Sequence, residues 1–529
     1  MTPIRHIKPE IVQQTLGTNR EMFLAFLGGL ILVLVAFVWE GHQGFNLWDE
    51  GYLWYGVQRS MLGEVPLRDF QAYDPARYYW CALLMKVAGA QGIMAVRVAV
   101  AVLQALALGL ALATLASAAR GRRNGWFLLI CGITLLVWMV PRHKLFDIAI
   151  SIALVCTFAR WIRVPSVATS ILAGMVVGVA ACLGRNHGIY GLAAGAGIGI
   201  YLSVRCEGWR RWSVQMIGFG AGVVIGYLPI VFMMIFVSGF YQAFIESIKF
   251  LFEVKATNLP LPIPWPWTVD FSALPLAEAC RQVLLGLFFM TTLVFGIFST
   301  IHVVARRLRG MAPSPLLVAC AFLALPYAHY AFSRADAGHL ALGIFPTLIG
   351  CMELASSLHS WRRMLTVCVL ALPSAFTMIV SHPGWQCRSS NICTWISVGD
   401  DKLYVDATAA SNVELLYRLR DSEPHGSKNF FAAPFWPGAY ALLGRKSPTW
   451  EIYTAWPRSD EFQRREITDI ERSKPAFVVI YDLPLDGHDE LRYAKTHPLI
   501  DTYVRANFNR TQVFSDDPAL QIYLPRTTP

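Results

Sequence analysis

The 529-residue chain is 55% hydrophobic and only 15% charged, with a mean hydropathy of +0.45, which excludes an ordinary soluble globular protein. Its 45 lysines and arginines against 35 acids give a net charge of +10. That surplus lies in connections between apolar runs and no RNA- or DNA-binding motif accompanies it, so nucleic acid is excluded as a partner.

Residues 1–21 form a polar N-terminus, and apolar runs long enough to cross a bilayer then recur from residue 22 to 381. They predict about eleven helices, over 22–40, 93–118, 126–141, 146–160, 166–184, 188–204, 213–238, 279–305, 314–333, 338–358 and 364–381. The first reads as a retained anchor: it is too long for the core of a signal peptide and ends in Trp39-Glu40-Gly41-His42 rather than a small-residue cleavage site. Alternate connections are basic, with Arg120, Arg122 and Arg123, then Arg160 and Arg163, Arg205, Arg210 and Arg211, Arg306, Arg307 and Arg309, and Arg362 and Arg363. Together with Arg5, Lys8 and Arg20 they mark the cytoplasmic side, and the N-terminus with it. An odd number of spans then puts the segment 41–92, the segment 239–278 and everything from 382 to 529 outside, and a bacterial inner membrane is the expected location.

The segment 239–278 divides in two. "YQAFIESIKFLF" has the pattern of an interfacial helix, whereas "LPLPIPWPW" alternates proline with bulky residues and favours an extended path. It is either a rigid connector or a flap that closes with Trp265 and Trp267 over a ligand. After residue 382 short apolar runs, "FFAAPF" and "PAFVVIYDLP", alternate with helix-like "NVELLYRLRDS" and "HDELRYAKTHPLIDTYVRANF", the rhythm of a small α/β domain. "TQVFSDDPALQIYLP" reads as a hairpin turning at Asp516-Asp517-Pro518. Nine of the eleven cysteines lie in or beside apolar runs; Cys387 and Cys393 open the last domain, as a disulfide or as two free thiols.

The charges on the outer side carry the functional signal. Asp49 and Glu50 stand just beyond the first span, with Arg59 and Asp74 further along the same segment. The outer connections, expected to be poor in cations, instead hold Arg142, His143 and Lys144; Arg185 and His187; and Arg334, Asp336 and His339. Arg97 enters the second span from the same side. One such cluster suggests snorkelling or helix capping, but three suggest an anion held at the outer surface, with guanidinium and imidazole donors around a phosphate. The aromatic residues Trp48, Trp54, Tyr78, Tyr79 and Trp80 fit an interfacial belt better than sugar stacking.

The stretch "WDEGYLWYGVQRSMLGEVPLRDF…YDPARYYW", followed by "AVRVAVAVLQALALGLALATLASAARGRRNG" with its leading arginine and basic exit, resembles the GT-C glycosyltransferases that use polyprenyl-phosphate sugars. That branch includes the protein O-mannosyltransferases and the aminoarabinose transferases that modify lipid A. Where relatives often carry paired prolines before the aromatic run, this chain has Asp74-Pro75-Ala76-Arg77. The resemblance implies a polytopic α-helical membrane protein of GT-C type with a small C-terminal α/β extracytoplasmic domain. It implies transfer of a sugar from a polyprenyl phosphate to an outer-face glycan, lipid or protein. Asp49 would be the general base and Glu50 its orienter, the like-charged pair raising its own pKa. Arg142, His143, Lys144, Arg185, His187, Arg334 and His339 would hold the donor phosphate, and Asp74, Arg59 and Arg97 would orient substrate. No DxD or Cys-His metal signature is present and no cofactor is required, although a divalent cation bridging Asp49 to the phosphate stays compatible. A lipid or glycan transporter or flippase and a non-catalytic lipid-binding relative are the competing classes; a transporter favours internal repeats and interrupted helices.

Overall fold

The computed structural model describes residues 19–118, 125–204, 208–254, 258–388, 392–422, 429–514 and 517–526. The cytoplasmic markers Arg5, Lys8, Arg120, Arg122, Arg123 and Arg205, and Asp516 of the predicted turn, lie outside the described residues.

Helices dominate the first 381 residues. In chain order they are α1 (Asn19–Glu40), α2 (Asp49–Met61), α3 (Ala76–Ala88), α4 (Gly92–Ala118), α5 (Gly125–Val137), α6 (Leu145–Arg163), α7 (Val167–Leu183) and α8 (Arg185–Ser203). Then come α9 (Trp209–Phe236), α10 (Phe240–Val254), α11 (Leu276–Leu308), α12 (Pro315–Phe332), α13 (Ala337–Gly343), α14 (Phe345–Ser356) and α15 (Ser360–Met378). A helix covers each predicted span except the tenth, which is broken into α13 and α14 with a 58° bend. Among the described residues seven helices are long and apolar enough to cross a membrane, or eight if the bent pair counts as one; α5 and α7 are apolar but shorter. The chain is an integral membrane protein, and its eleven predicted spans are found as helices rather than as eleven full-length crossings.

Small residues set the tightest packing. A Cβ on Gly174 or Gly178 of α7 would fall within 2.3 Å of backbone oxygens of α9, and one on Gly222 or Gly226 of α9 would fall equally close to α7. The two backbones touch, as small-xxx-small faces allow in a membrane where apolar area drives little association.

The segment 41–92, expected as a loop, folds into α2 and α3. Asp49 and Glu50 thus open a helix, where the N-terminal dipole favours carboxylates. Trp54 and Tyr78 are buried in the core rather than forming an interfacial belt, and the Tyr78 hydroxyl accepts from the Tyr73 N–H.

Beyond residue 382 follow α16 (Pro383–Gln386), β1 (Cys393–Val398), β2 (Asp401–Asp406), α17 (Ala407–Asp421), β3 (Phe431–Ala433), α18 (Pro437–Leu442), α19 (Asp460–Ser473), β4 (Val478–Tyr481), α20 (Tyr493–Thr496), α21 (Pro498–Asn507), β5 (Phe508–Thr511) and β6 (Leu520–Pro525). The order β3-β4-β6-β5 is parallel at β3/β4 and antiparallel elsewhere. The predicted terminal hairpin is β5–β6. β1 and β2 form a separate antiparallel pair, which Cys387 and Cys393 precede and open as a disulfide. This sheet domain sits on α2: α18 crosses it at Gly438, whose Cα would lie 2.5 Å from a Cβ on Gly51. The Gln71 side chain accepts from the N–H groups of Ile452 and Tyr453 and donates to the Tyr453 carbonyl, which fastens the segment before α3 to the same domain.

Candidate functional site

A cavity of about 1610 Å³ opens where the bundle meets the C-terminal domain. Asp49, Glu50, Asp74, Arg97, Arg142, His143, Lys144, Arg185, His187, Arg334 and His339 all line it. Positions spread over 290 residues are therefore brought together by the fold, from α2 at one end to α13 at the other. Arg59 is the exception among the predicted site residues. It does not line the cavity: its guanidinium pairs with Glu64 at 2.5 Å, Lys446 joins the same carboxylate, and both serve the packing of α2.

The adjacent acids have separate environments. Glu50 points into the bundle, where Arg97 donates to both its oxygens at 2.8 Å and Arg142 approaches at 3.4 Å. Arg97, itself buried, also donates to the carbonyls of Gly41 and Gly44, and Arg142 to that of Gln43. These arginines fix the turn between α1 and α2 around one carboxylate. Burial works to raise the Glu50 pKa, but Arg97 and Arg142 outweigh it and hold the carboxyl below its ordinary value. The expected mutual raising of the acid pair is thus reversed at Glu50. Arg97 is correspondingly a strut for Glu50 rather than a free donor to substrate.

Asp49 faces the cavity. Its side chain is 39% exposed against 12% for Glu50. Its neighbours are weak ones: His143 Nε2 at 3.9 Å, and the Tyr453 hydroxyl, which donates to Oδ1 at 3.4 Å. Burial and the Asp49 charge push the Tyr453 pKa well above its usual value, so that hydroxyl keeps its proton and remains a donor. Of Asp49, Glu50, Asp74 and Asp336, only Asp49 has no arginine partner among the described residues. Asp74 pairs with Arg185 at 2.8 Å and Asp336 with Arg334 at 2.8 Å.

The cations divide the same way. Arg185 is held by Asp74 and by Ser247 of α10, and Arg334 is held bidentately by Asp486 at 2.6 and 2.8 Å as well as by Asp336. The His187 ring spans Asp147 at 3.2 Å and the Tyr327 hydroxyl at 2.9 Å. All three were expected to meet phosphate and are instead engaged within the protein. Two of the predicted basic groups stay open. The Lys144 ammonium has no hydrogen bond or ion pair among the described residues. His339 is fixed through Nδ1 on Asp336 at 3.0 Å, which leaves the buried Nε2 with no partner among the described residues. The two segments adjoin, since a Cβ on Gly338 would lie 3.8 Å from Pro141.

No family model and no curated protein sequence matches the chain. Its fold is similar to that of ligand-free ArnT from Cupriavidus metallidurans, with 14% identity over 94% of this chain and 97% of that one and a TM-score of 0.48. It is also similar to the ligand-free oligosaccharyltransferase of Archaeoglobus fulgidus, with 12% identity over 93% of this chain and 73% of that one and a TM-score of 0.48. Likeness of this degree assigns no residue a role.

Several cavity residues escaped sequence reading. Asp147, in the first turn of α6, binds Arg77 at 3.1 Å and accepts from Tyr330 at 3.2 Å, forming a buried polar floor with His187. "VPRHKLFD" contains Asp147, but an acid three residues past a basic run reads as a helix-start residue. Tyr453, Trp456 and Arg458 come from coil in the C-terminal domain, and no pattern marked them. Trp265 and Trp267, expected over the ligand, stack on each other at 5.3 Å, and their segment packs on α11 at Gly286, outside the cavity lining. Among the described residues no three His, Cys, Asp or Glu side chains converge as a metal site.

Proposed function

We propose that the protein is a membrane glycosyltransferase that moves a sugar from a polyprenyl phosphate to a hydroxyl acceptor, with Asp49 as general base. One observation carries the reading: Asp49, a carboxylate with no arginine partner among the described residues, shares a cavity with two open basic groups, Lys144 and His339 Nε2, on adjoining segments. The acceptor oxygen attacks the anomeric carbon as the bond from that carbon to the phosphate oxygen breaks. Its proton passes to Asp49, and the phosphate departs as an anion toward Lys144 and His339, with Arg142 and Arg334 adding positive potential from the wall. A phosphate leaving group needs little acid assistance, which suits a site whose other groups are cationic.

Glu50, Asp74 and Asp147 are all ion-paired, which leaves none of these three carboxylates free to act as a second nucleophile beside Asp49. A direct displacement with inversion at the anomeric carbon follows. The expected location is a bacterial inner membrane, with the cavity and C-terminal domain on the outer face. The test is transfer from polyprenyl-phosphate-linked sugar in proteoliposomes, together with the lipid-linked sugars of a deletion strain. Asp49→Asn should bind polyprenyl phosphate like wild type and transfer nothing, and the deletion strain should accumulate an unused lipid-linked sugar. Near-normal transfer by Asp49→Asn removes the base and the proposal with it.

A further inference from the structure

The C-terminal domain closes one side of the cavity with the strip Tyr453–Ser459, which forms neither helix nor strand. Most aromatic side chains near the strip are engaged. Trp450 donates its indole N–H to the Leu67 carbonyl and packs its ring edge-on to Phe462, and Tyr453 packs against Tyr52 and Phe435. Trp456 is different. It lines the cavity and is only partly buried, yet among the described residues it joins no hydrophobic cluster, no ring pair and no hydrogen bond. A large aromatic side chain left partly open on a concave wall, with no ring or hydrogen-bond partner, is a contact surface for a ligand.

Its surroundings define the ligand. Arg465 of α19 and Lys249 of α10 line the same cavity with no acid partner among the described residues, and Glu246, Asp469 and Ser459 line it too. Donors and acceptors of both signs in the cavity that holds one flat apolar face suit a ligand with a ring of C–H bonds and many hydroxyls. A polyanion would need one sign of charge. An acyl chain would need a continuous apolar wall, and an extended peptide would need a strand edge, which this strip does not offer. The strip also lies at the chemistry. The Tyr453 hydroxyl is 3.4 Å from Asp49, and three residues of chain separate Trp456 from Tyr453, at most about 11 Å when extended.

We infer that Trp456 is the platform of an acceptor subsite for a carbohydrate, which stacks a sugar ring and presents a hydroxyl of that glycan to Asp49. This rests on the transferase reading above and assigns its acceptor class. Saturation-transfer NMR on the detergent-solubilised full chain tests it, with maltotetraose, cellotetraose, chitotetraose and a serine-containing hexapeptide as probes and with polyprenyl phosphate binding measured separately. At least one oligosaccharide should receive saturation and the peptide none. Trp456→Ala should weaken that oligosaccharide about tenfold, Trp456→Phe should largely restore it, and Asp49→Asn should bind as wild type. Polyprenyl phosphate should bind equally to wild type and Trp456→Ala. No transfer to any oligosaccharide, equal binding by Trp456→Ala, or preference for the peptide overturns the subsite. Failure of wild type to bind polyprenyl phosphate instead overturns the donor reading and leaves the oligosaccharide result standing.

Discussion

Replacing Glu50 by glutamine should cost the fold much and replacing Asp49 by asparagine should cost it almost nothing, although the two acids are neighbours. Glu50→Gln removes a carboxylate that receives two 2.8 Å charge-assisted bonds from Arg97 and a longer one from Arg142. Breaking a buried ion pair from one side costs about 3–5 kcal/mol, mostly because the partner charge is left uncompensated. Arg97 keeps the Gly41 and Gly44 carbonyls, which points to the lower end, about 3 kcal/mol. Asp49 has only contacts of 3.4 and 3.9 Å to lose, so its change should stay within roughly 0.5 kcal/mol. Thermal unfolding of the solubilised chain at neutral pH reads both, and the double variant Arg97→Met/Glu50→Gln should recover part of the loss. The folded Glu50 pKa is depressed, so its contribution is present above the ordinary value of 4.5 and disappears as pH falls through the folded value. Equal stability of the two single variants, in either direction, would refute the division of labour between these acids.

Other consequences concern the C-terminal domain. Asp486 sits at φ +53°, a conformation asparagine also tolerates, so Asp486→Asn removes charge without new strain. Arg334 then keeps Asp336 as its one carboxylate partner among the described residues, and binding of polyprenyl phosphate should tighten on the order of tenfold in a filtration assay; unchanged affinity would mean Arg334 does not meet the phosphate. Glu466 is pushed up to about 8 by burial and by Glu451 beside it. The folded protein therefore holds a proton that the unfolded chain releases above about 4.5, and stability should fall between those values as pH rises. Glu466→Gln should flatten that slope in a pH series of melting curves, and a slope that persists would assign it to other groups. Gly51→Ala forces α2 off Gly438; transfer should drop sharply while detergent-extracted yield changes little, and normal transfer would show the contact to be slack.

The helical bundle was legible because bilayer thickness writes itself into run length, and every apolar run from 22 to 381 became helix. The broken tenth span was not legible, since nothing in "GHLALGIFPTLIG" interrupts its hydrophobicity before Pro346. Charge placed against the positive-inside rule pointed to residues that share a cavity: Arg142, Lys144, Arg185, Arg334 and His339 all line it. Which of them are free was beyond the sequence, because pairing depends on distant partners. Asp486 neutralises Arg334 across 152 positions, and Arg97 claims Glu50 across 47. Tyr453 and Trp456 were invisible for a related reason. Coil residues carry no periodicity, and their significance exists only once a separate domain has been folded against α2.

The Gln71 contacts make the seam between bundle and C-terminal domain a matter of main-chain bonding as well as side-chain fit. Trp450 offers its carbonyl to the Gln71 N–H, while the Gln71 side chain spans three backbone groups of residues 452 and 453. A modular exchange of C-terminal domains between related chains would therefore have to carry residues 66–75 along with the domain. Cut at residue 382 alone, a transplanted domain would arrive without the bracket that sets Tyr453 against Asp49, and the hybrid would have two intact halves and no shared site.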